Sequence, residues 1–335
     1  MILVTGGTGL VGSHLLYQLA IQKEDVTAIR RKSSDMSAVK KVFSYYTDKF
    51  ETLYSSIQWL VADINDIPAL TKAFEGVTHV YHSAALISFD SADYKLMRRI
   101  NIEGTANIVN LCILNKVEKL CFVSSVAAVG KPLSDKEITE NCDWNPEESN
   151  YGYAITKYGA EIEVWRASQE GIDVVIVNPG VIFGSGFWQS GSGKMFSKIY
   201  KGFKFYTEGI TGFVGVTDVV TIIIKLMKSN IKNERYILVS ENDSFKNVFF
   251  TIADGLDRVK PSIRVSKLLS GLAWRIEWIL HKITGKKQLI TKQSANSAHN
   301  KYIFSNKKIK DTLNFEFEPL KDTIQYTCKD FLSDV

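Results

Sequence analysis

Short apolar runs of β type alternate with amphipathic helical stretches along the first two thirds of the chain, and a glycine-rich turn joins the first run to the first helix. These observations predict an α/β fold, a doubly wound parallel sheet of about seven strands with a smaller, mostly C-terminal α/β substrate lobe. Composition agrees: 45% of the 335 residues are hydrophobic and 23% charged, ordinary values for a globular chain long enough for two lobes.

The expected strands are Ile2–Val4, Val26–Ile29, Ile57–Val61, His79–Tyr81, Leu120–Val123, Val174–Val177 and Tyr236–Val239. Helical patterns fill the gaps, among them Asp93–Asn115 and Tyr151–Glu170, and Ser34 to Ser56 reads as a longer, mostly helical crossover. After Gly184 the alternation fails. Residues 1–183 with 216–239 are therefore expected to form the sheet domain, and residues 184–215 with 240–335 the smaller lobe.

Net charge is +5, unevenly spread: Lys282 to Lys310 contains eight lysines and no acid. A solvated face, attraction for an anionic substrate and weak contact with an anionic membrane surface all fit that cluster. The apolar run Leu268–Leu280 is broken by Arg275 and Glu277, so it reads as an amphipathic helix, and no stretch reaches the roughly 18 apolar residues of a membrane span. Neither interleaved aromatics nor a nucleic-acid module is present, so no nucleic-acid partner is expected. Cys112, Cys121, Cys142 and Cys328 form no CxxC pair and no metal spacing with histidine, so no metal is expected. With the first strand starting at Ile2, no room is left for a leader. The expectation is a reduced, cytoplasmic monomer or homodimer with a small-molecule substrate.

The turn reads Thr5-Gly-Gly-Thr-Gly-Leu-Val-Gly12. Between a strand and a helix each glycine has a purpose: Gly6 permits the tight turn, Gly9 lets backbone approach a pyrophosphate, and Gly12 lets helix pack on strand. The helix N-terminus offers free N–H groups and a partial positive charge to phosphates. Gly6, Thr8, Gly9, Leu10, Val11 and Gly12 are therefore candidate dinucleotide contacts.

In such a fold the end of the second strand distinguishes the two nicotinamide cofactors. An acid binds the ribose 2′-hydroxyl, whereas arginine accommodates a 2′-phosphate. Here Arg30 and Arg31 stand at that place, followed by Lys32. Guanidinium binds phosphate bidentately, so the cofactor is read as NADP(H) in preference to NAD(H). Asp63 and Ile64, after the third strand, suit the adenine, and Ser83, Ala84 and Ala85, after the fourth, leave room for the cofactor backbone.

Tyr153 and Lys157 lie four residues apart in a helical pattern and so share a face. A tyrosine near pKa 10 is a poor acid or base at neutral pH. A neighbouring ammonium and a positive nicotinamide both favour the phenolate, which is the lowering that general acid–base work requires. Val123, Ser124 and Ser125 end the fifth strand, where the hydroxyls reach a substrate oxygen.

Together these residues resemble the extended short-chain dehydrogenase/reductases, the NAD-dependent epimerase/dehydratase family with its Rossmann fold. The resemblance rests on the glycine turn, Asp63-Ile64, Asn101-Ile-Glu-Gly104-Thr105, Ser124-Ser125, Tyr153…Lys157 and Asn178-Pro-Gly-Val-Ile-Phe-Gly184. It implies that Tyr153 is the acid/base, that Lys157 orients the nicotinamide ribose, that Ser125 polarises the substrate oxygen and that Asn101 supports a proton relay. Pro179, Gly180, Val181 and Ile182 would lie against the nicotinamide. Within the family, dehydratases carry Asp-Glu directly after the serine or threonine, where this chain has Val126-Ala127, and epimerases usually carry an acid on the second strand, where it has Arg30 and Arg31. The chain looks most similar to the dihydroflavonol-reductase and 3β-hydroxysteroid-dehydrogenase group, an impression that Tyr302-Ile-Phe-Ser-Asn-Lys-Lys308 strengthens. Leu86, Ser125, Phe183, Phe187, Trp188 and Met195 are candidate substrate contacts, although the aromatic segment 187–206 fits ordinary lobe core equally well. The expected activity is NADP(H)-dependent hydride transfer between nicotinamide and the carbonyl or secondary alcohol of a bulky, apolar molecule. A nucleotide-sugar epimerase or dehydratase using bound NAD(P), and a non-catalytic NADP-binding sensor, are the alternatives.

Overall fold

The structure, a computed structural model, describes residues 1–132, 137–148, 150–284, 288 and 291–335. Lys286 and Lys287 of the lysine-rich stretch lie outside the described residues. The strands in chain order are β1 (Ile2–Thr5), β2 (Val26–Arg30), β3 (Gln58–Val61), β4 (His79–His82), β5 (Lys119–Val123), β6 (Asp173–Pro179), β7 (Val181–Phe183), β8 (Phe205–Tyr206), β9 (Ile210–Gly215), β10 (Glu234–Leu238), β11 (Glu241–Ser244) and β12 (Ile263–Arg264). Seven of them form one sheet in the order β10-β6-β5-β4-β1-β2-β3. Every pairing in it is parallel, as strands joined by helical crossovers require.

Period-two alternation sends each strand's side chains to two opposite cores. Val4, Cys121, Val175 and Val177 join Leu15, Leu16 and Leu19 of the helix Leu10–Ile21 and Val219, Ile222, Ile223 and Leu226 of the helix Val216–Lys228. Leu3, Leu120, Phe122, Val174 and Ile176 join Ile108, Val109, Val164 and Ala167 on the other face. A third apolar cluster gathers Phe183, Phe196, Phe213, Val248, Ile252, Leu320 and Phe331 around the three-stranded sheet β11-β9-β7.

The seven expected strands are all present, with ends shifted by a residue or two. The crossover 34–56 holds the helices Met36–Tyr46 and Phe50–Ser55, the first capped by Asp35, whose carboxylate accepts from the Ser37 N–H at 2.9 Å. The expected helix Asp93–Asn115 is not continuous. A 3₁₀ turn (Ser91–Asp93), one short helical turn (Tyr94–Met97) and a π segment (Arg98–Glu103) precede the regular helix Gly104–Leu114. The π segment carries the buried Asn101, whose side chain is engaged by the loop after β4 (below), and such insertions commonly mark functional positions.

Chain direction across the sheet reverses between β1 and β4, which opens a crevice at their carboxyl ends.

Candidate functional site

At that crevice the glycine turn is shaped by contact. Gly6 has φ +74°, and a Cβ there would lie 2.5 Å from the Ala84 nitrogen. A Cβ on Gly12 would lie 2.2 Å from the Gly6 carbonyl oxygen, so this helix reaches the turn only because Gly12 has no side chain. The Gly9 N–H donates to the Gly6 carbonyl at 2.9 Å and closes the turn. Gly9 is also the N-cap of the helix Leu10–Ile21 and supplies no side-chain cap, so the first N–H groups of the helix face the crevice without a side-chain partner. A Cβ on Gly9 would meet only the Gly6 oxygen, at 3.4 Å. This cradle fits a pyrophosphate. Thr8, Leu10 and Val11 are half-buried around it.

A buried histidine ties the turn to the far side of the crevice. Thr105 donates its hydroxyl proton to the Asn101 carbonyl at 2.6 Å, so it accepts from His82 Nε2 at 2.9 Å, and His82 Nδ1 then accepts from Thr5 Oγ1 at 2.5 Å. Burial, with the Lys157 charge adding to it, holds His82 down at about 3, consistent with this neutral ring. Ser83 Oγ donates to the Thr5 carbonyl at 2.8 Å; Ser83 and Ala84 are half-buried and Ala85 is exposed.

At the far end of the crevice, Arg31, Lys32, Ser33, Val61, Ala62, Asp63 and Asp66 line an open groove. Arg30 is half-buried and Arg31 exposed. Asp63 Oδ1 accepts from the Asn65 backbone N–H (2.9 Å) and amide (3.2 Å), which fixes the loop that leaves β3. Ile64 packs where a Cβ on Gly104 would come within 2.5 Å of it, so the asparagine-bearing helix sits tightly against the loop that leaves β3.

The chemical groups face the carboxyl ends of β5 and β6. Tyr153, Lys157 and Glu161 fall on one buried stripe of the helix Gly152–Gln169. Burial pushes the Tyr153 phenol up to about 12, while the Ser125 hydroxyl draws it the other way. Lys157 is brought down to about 7 by burial, against the pull of the Glu161 carboxylate. Its ammonium donates to the Val123 carbonyl at 2.9 Å and lies 4.1 Å above the Phe122 ring. The expected lowering of the phenol is therefore not a property of these side chains by themselves. Desolvation outweighs the hydrogen bond from Ser125.

Glu161, absent from the sequence reading, stands behind the lysine. Asn178 donates to its Oε1 at 2.5 Å and Arg235 lies 3.6 Å from its Oε2. Burial raises its pKa, opposed by Ser124, Asn178, Arg235 and Lys157. Its sequence signal was the spacing Tyr153, Lys157, Glu161, which repeats every fourth residue on one helix face. Asn178 also donates to the Ser125 carbonyl at 2.9 Å, so one amide positions both the serine turn and the buried acid.

Asn101 has both ends of its side chain engaged. Its Oδ1 accepts from the Leu86 N–H at 2.7 Å, and its Nδ2 donates to the Leu86 carbonyl and to Thr156 Oγ1, each at 3.0 Å. It thereby holds the loop after β4, with half-buried Leu86, over the tyrosine helix. Beyond Leu86, Phe89 stacks on Tyr151 (5.7 Å) and Tyr151 on Tyr153 (6.2 Å), a ladder of three rings that the sequence reading did not assemble.

Phe183 is corrected from a substrate contact to a core residue: it is fully buried, edge-on to Phe196 at 5.5 Å and stacked on Phe213 at 5.4 Å. Trp188 is likewise turned into the third cluster, its ring 5.1 Å from Phe331 and its Nε1 donating to Asp334 at 2.7 Å. Phe187 and Met195 are half-buried, Met195 against the same cluster. Pro179 ends β6. A Cβ on Gly180 would lie 2.3 Å from the Gly212 oxygen, and Val181 and Ile182, half-buried, begin β7 beside it.

The chain is similar to several known proteins. The chain is 27% identical over 276 residues to the sterol demethylase protein B of Methylococcus capsulatus, covering 81% of this chain and 79% of that one. It is 34% identical over 181 residues to a putative dihydroflavonol 4-reductase of Synechocystis, of which it spans about half (49%). Among solved structures it superposes on gox2253 with a TM-score of 0.83 at 25% identity, over 100% of this chain and 98% of that one. The family model for NAD-dependent epimerases and dehydratases matches residues 2–238, so this chain, with its glycine cradle and its Tyr153–Lys157 helix, belongs to the NAD-dependent epimerase/dehydratase family of extended short-chain dehydrogenases/reductases.

Proposed function

We propose that the protein is an NADP(H)-dependent oxidoreductase that moves a hydride between nicotinamide and the carbonyl or secondary alcohol of a bulky, apolar small molecule. The observation that carries this reading is the placement of Ser125, Tyr153 and Lys157 together at the carboxyl edge of β5, with Arg30 and Arg31 at the adenine end of the same crevice. The cradle of Gly6, Gly9 and Gly12 would hold the pyrophosphate, and Arg30 and Arg31 the 2′-phosphate. NADPH, when bound, supplies the hydride. Tyr153 supplies a proton to the substrate oxygen, Ser125 orients that oxygen, and Lys157 holds the nicotinamide ribose and biases the phenol toward ionisation.

Two features support reduction over the chemistry of sugar epimerases and dehydratases. Val126 and Ala127 occupy the turn after Ser125 and carry no carboxylate for eliminating water. The second strand ends in cations, with no acid to grip a 2′-hydroxyl. The apolar substrate class is supported by the Phe89–Tyr151–Tyr153 ladder, by exposed Ile87 two residues before Phe89, and by relatives named for sterol and flavonol chemistry.

The test is NADPH oxidation against a panel of aromatic, steroid-like and acyl ketones, with Tyr153→Phe as comparison. Removing the phenol oxygen should cut turnover by roughly 10²–10⁴-fold and leave NADPH affinity within about twofold. A Tyr153→Phe enzyme with more than half the wild-type turnover would show that another group supplies the proton.

A further inference from the structure

The helix Lys267–Thr284 is apolar on its outer side. Leu268, Leu272, Ile276, Ile279 and Ile283 follow one another at spacings of three or four, and they are exposed by 83%, 58%, 57%, 50% and 76%. At 100° per residue these five, with Leu280 at the margin, fall within about a third of the helix circumference. The opposite side holds the helix in place: Ser270 is buried, with its hydroxyl 2.7 Å from His299 Nε2, and Trp274, Glu277 and His281 are half-buried. Among the described residues, eight of the 24 exposed large hydrophobic side chains sit on this one helix, which argues against casual surface scatter.

Charge identifies what covers it. Residues 267–310 carry ten lysines and arginines against the single acid Glu277, whereas the whole chain is only +5, so the rest of the molecule is net acidic. Lys307 and Lys308 are paired with Asp311 and Glu234, but Arg275 and Lys282 flank the apolar stripe itself, on one side of it. Both lie over tryptophan rings, Arg275 at 4.7 Å from Trp274 and Lys282 at 5.7 Å from Trp278. A second copy of this chain would bring an identical cationic surface against the first. An anionic bilayer instead accepts the aliphatic stripe into its acyl boundary and the cations at its headgroups. Among the described residues no helix is long and apolar enough to cross a membrane, so a bilayer contact made by this one would lie in the interface plane.

We propose that the helix Lys267–Thr284 docks the protein on the surface of an anionic lipid bilayer. The experiment is co-sedimentation of the full chain with vesicles of phosphatidylcholine alone and of phosphatidylcholine mixed with phosphatidylglycerol, at low and high salt. Wild type should pellet with the anionic vesicles at low salt, at least tenfold less with neutral ones, and be released by salt. The variant Leu272→Glu/Ile276→Glu/Ile279→Glu should lose at least tenfold in pelleting while keeping its circular dichroism and its dinucleotide affinity, because these side chains are exposed. Wild type left in the supernatant with anionic vesicles would overturn the proposal, as would a variant that still pellets, or equal binding to neutral lipid. A stable wild-type dimer that the same variant splits to monomer would assign the face to a second copy and overturn it too.

Discussion

Glu161→Gln separates a structural carboxylate from one that tunes the site. Glutamine keeps the volume and an oxygen to accept from Asn178 (2.5 Å to Oε1), and Arg235 keeps its hydrogen bonds to the Glu140 and Cys142 carbonyls, so folding should survive. What disappears is the negative charge that draws Lys157 up against burial, which leaves the lysine at about 7. Side chains four apart on a helix stand about 5–6 Å from each other. At an effective dielectric near 20, opposite unit charges at that range exchange roughly 3 kcal/mol, or about two pKa units. Asn178 and Arg235 already share the field of this carboxylate, and the expected fall of Lys157 is therefore about one unit. The ammonium form exists below the lysine pKa and is lost as pH rises through it. If the ammonium holds the nicotinamide ribose, NADPH affinity in wild type should decline as pH passes about 7, and in Glu161→Gln about one unit earlier. At pH 7 the ammonium fraction should drop from about one half to about one tenth. NADPH fluorescence titrations across neutral pH read this directly, with Lys157→Met as the pH-independent limit. Coincident wild-type and Glu161→Gln midpoints, or a uniform loss at every pH, would refute the argument and reduce Glu161 to a packing residue.

Two other outcomes follow from the same crevice. Arg30→Ala with Arg31→Ala should weaken NADPH at least tenfold and barely move NADH, since a lost charge-assisted phosphate contact costs roughly 1.5–3 kcal/mol; parallel changes in the two dissociation constants would remove the basis for NADP(H). In Gly12→Ala the new Cβ would sit 2.2 Å from the Gly6 oxygen and 2.7 Å from the Gly7 Cα. Backbone cannot yield as a side-chain tip does, so overpacking should cost about 1–3 kcal/mol and lower both the melting temperature and dinucleotide affinity, checked by calorimetry and titration.

How far this could be read from sequence depends on the range of the contacts involved. The glycine turn and the seven strands are local: Gly6, Gly9 and Gly12 act on their own neighbours, and short continuous apolar runs declare strands buried on both faces. The break in Asp93–Asn115 was hidden because the π segment at Asn101 accompanies a contact with Leu86, across the crevice. Phe89 and Tyr151 were missed for the same reason, since nothing short-range says that the β4 loop returns to the tyrosine helix. The aromatic segment after Phe183 was ambiguous in principle. A ring facing substrate and a ring facing Phe213 or Phe331 have the same composition, and only packing assigned Phe183 and Trp188 to the core.

The two central side chains are moved in opposite directions by one cause. Burial raises Tyr153 to about 12 and lowers Lys157 to about 7, so each is pushed toward its neutral form. A protonated phenol is the species that gives a proton to a nascent alkoxide, whereas taking one from an alcohol needs phenolate. Near neutral pH the resting side chains are therefore set for the reductive half of the proposed reaction. Working in the oxidative direction would require lowering the phenol against its own desolvation, and among the described residues the Ser125 hydroxyl is what draws it down. Glu161 acts on the lysine: its carboxylate draws Lys157 up against the burial that lowers it. The buried carboxylate thus joins the acid–base pair to the Asn178 and Arg235 contacts at its back, and a change there should appear in the pH dependence before it appears in stability.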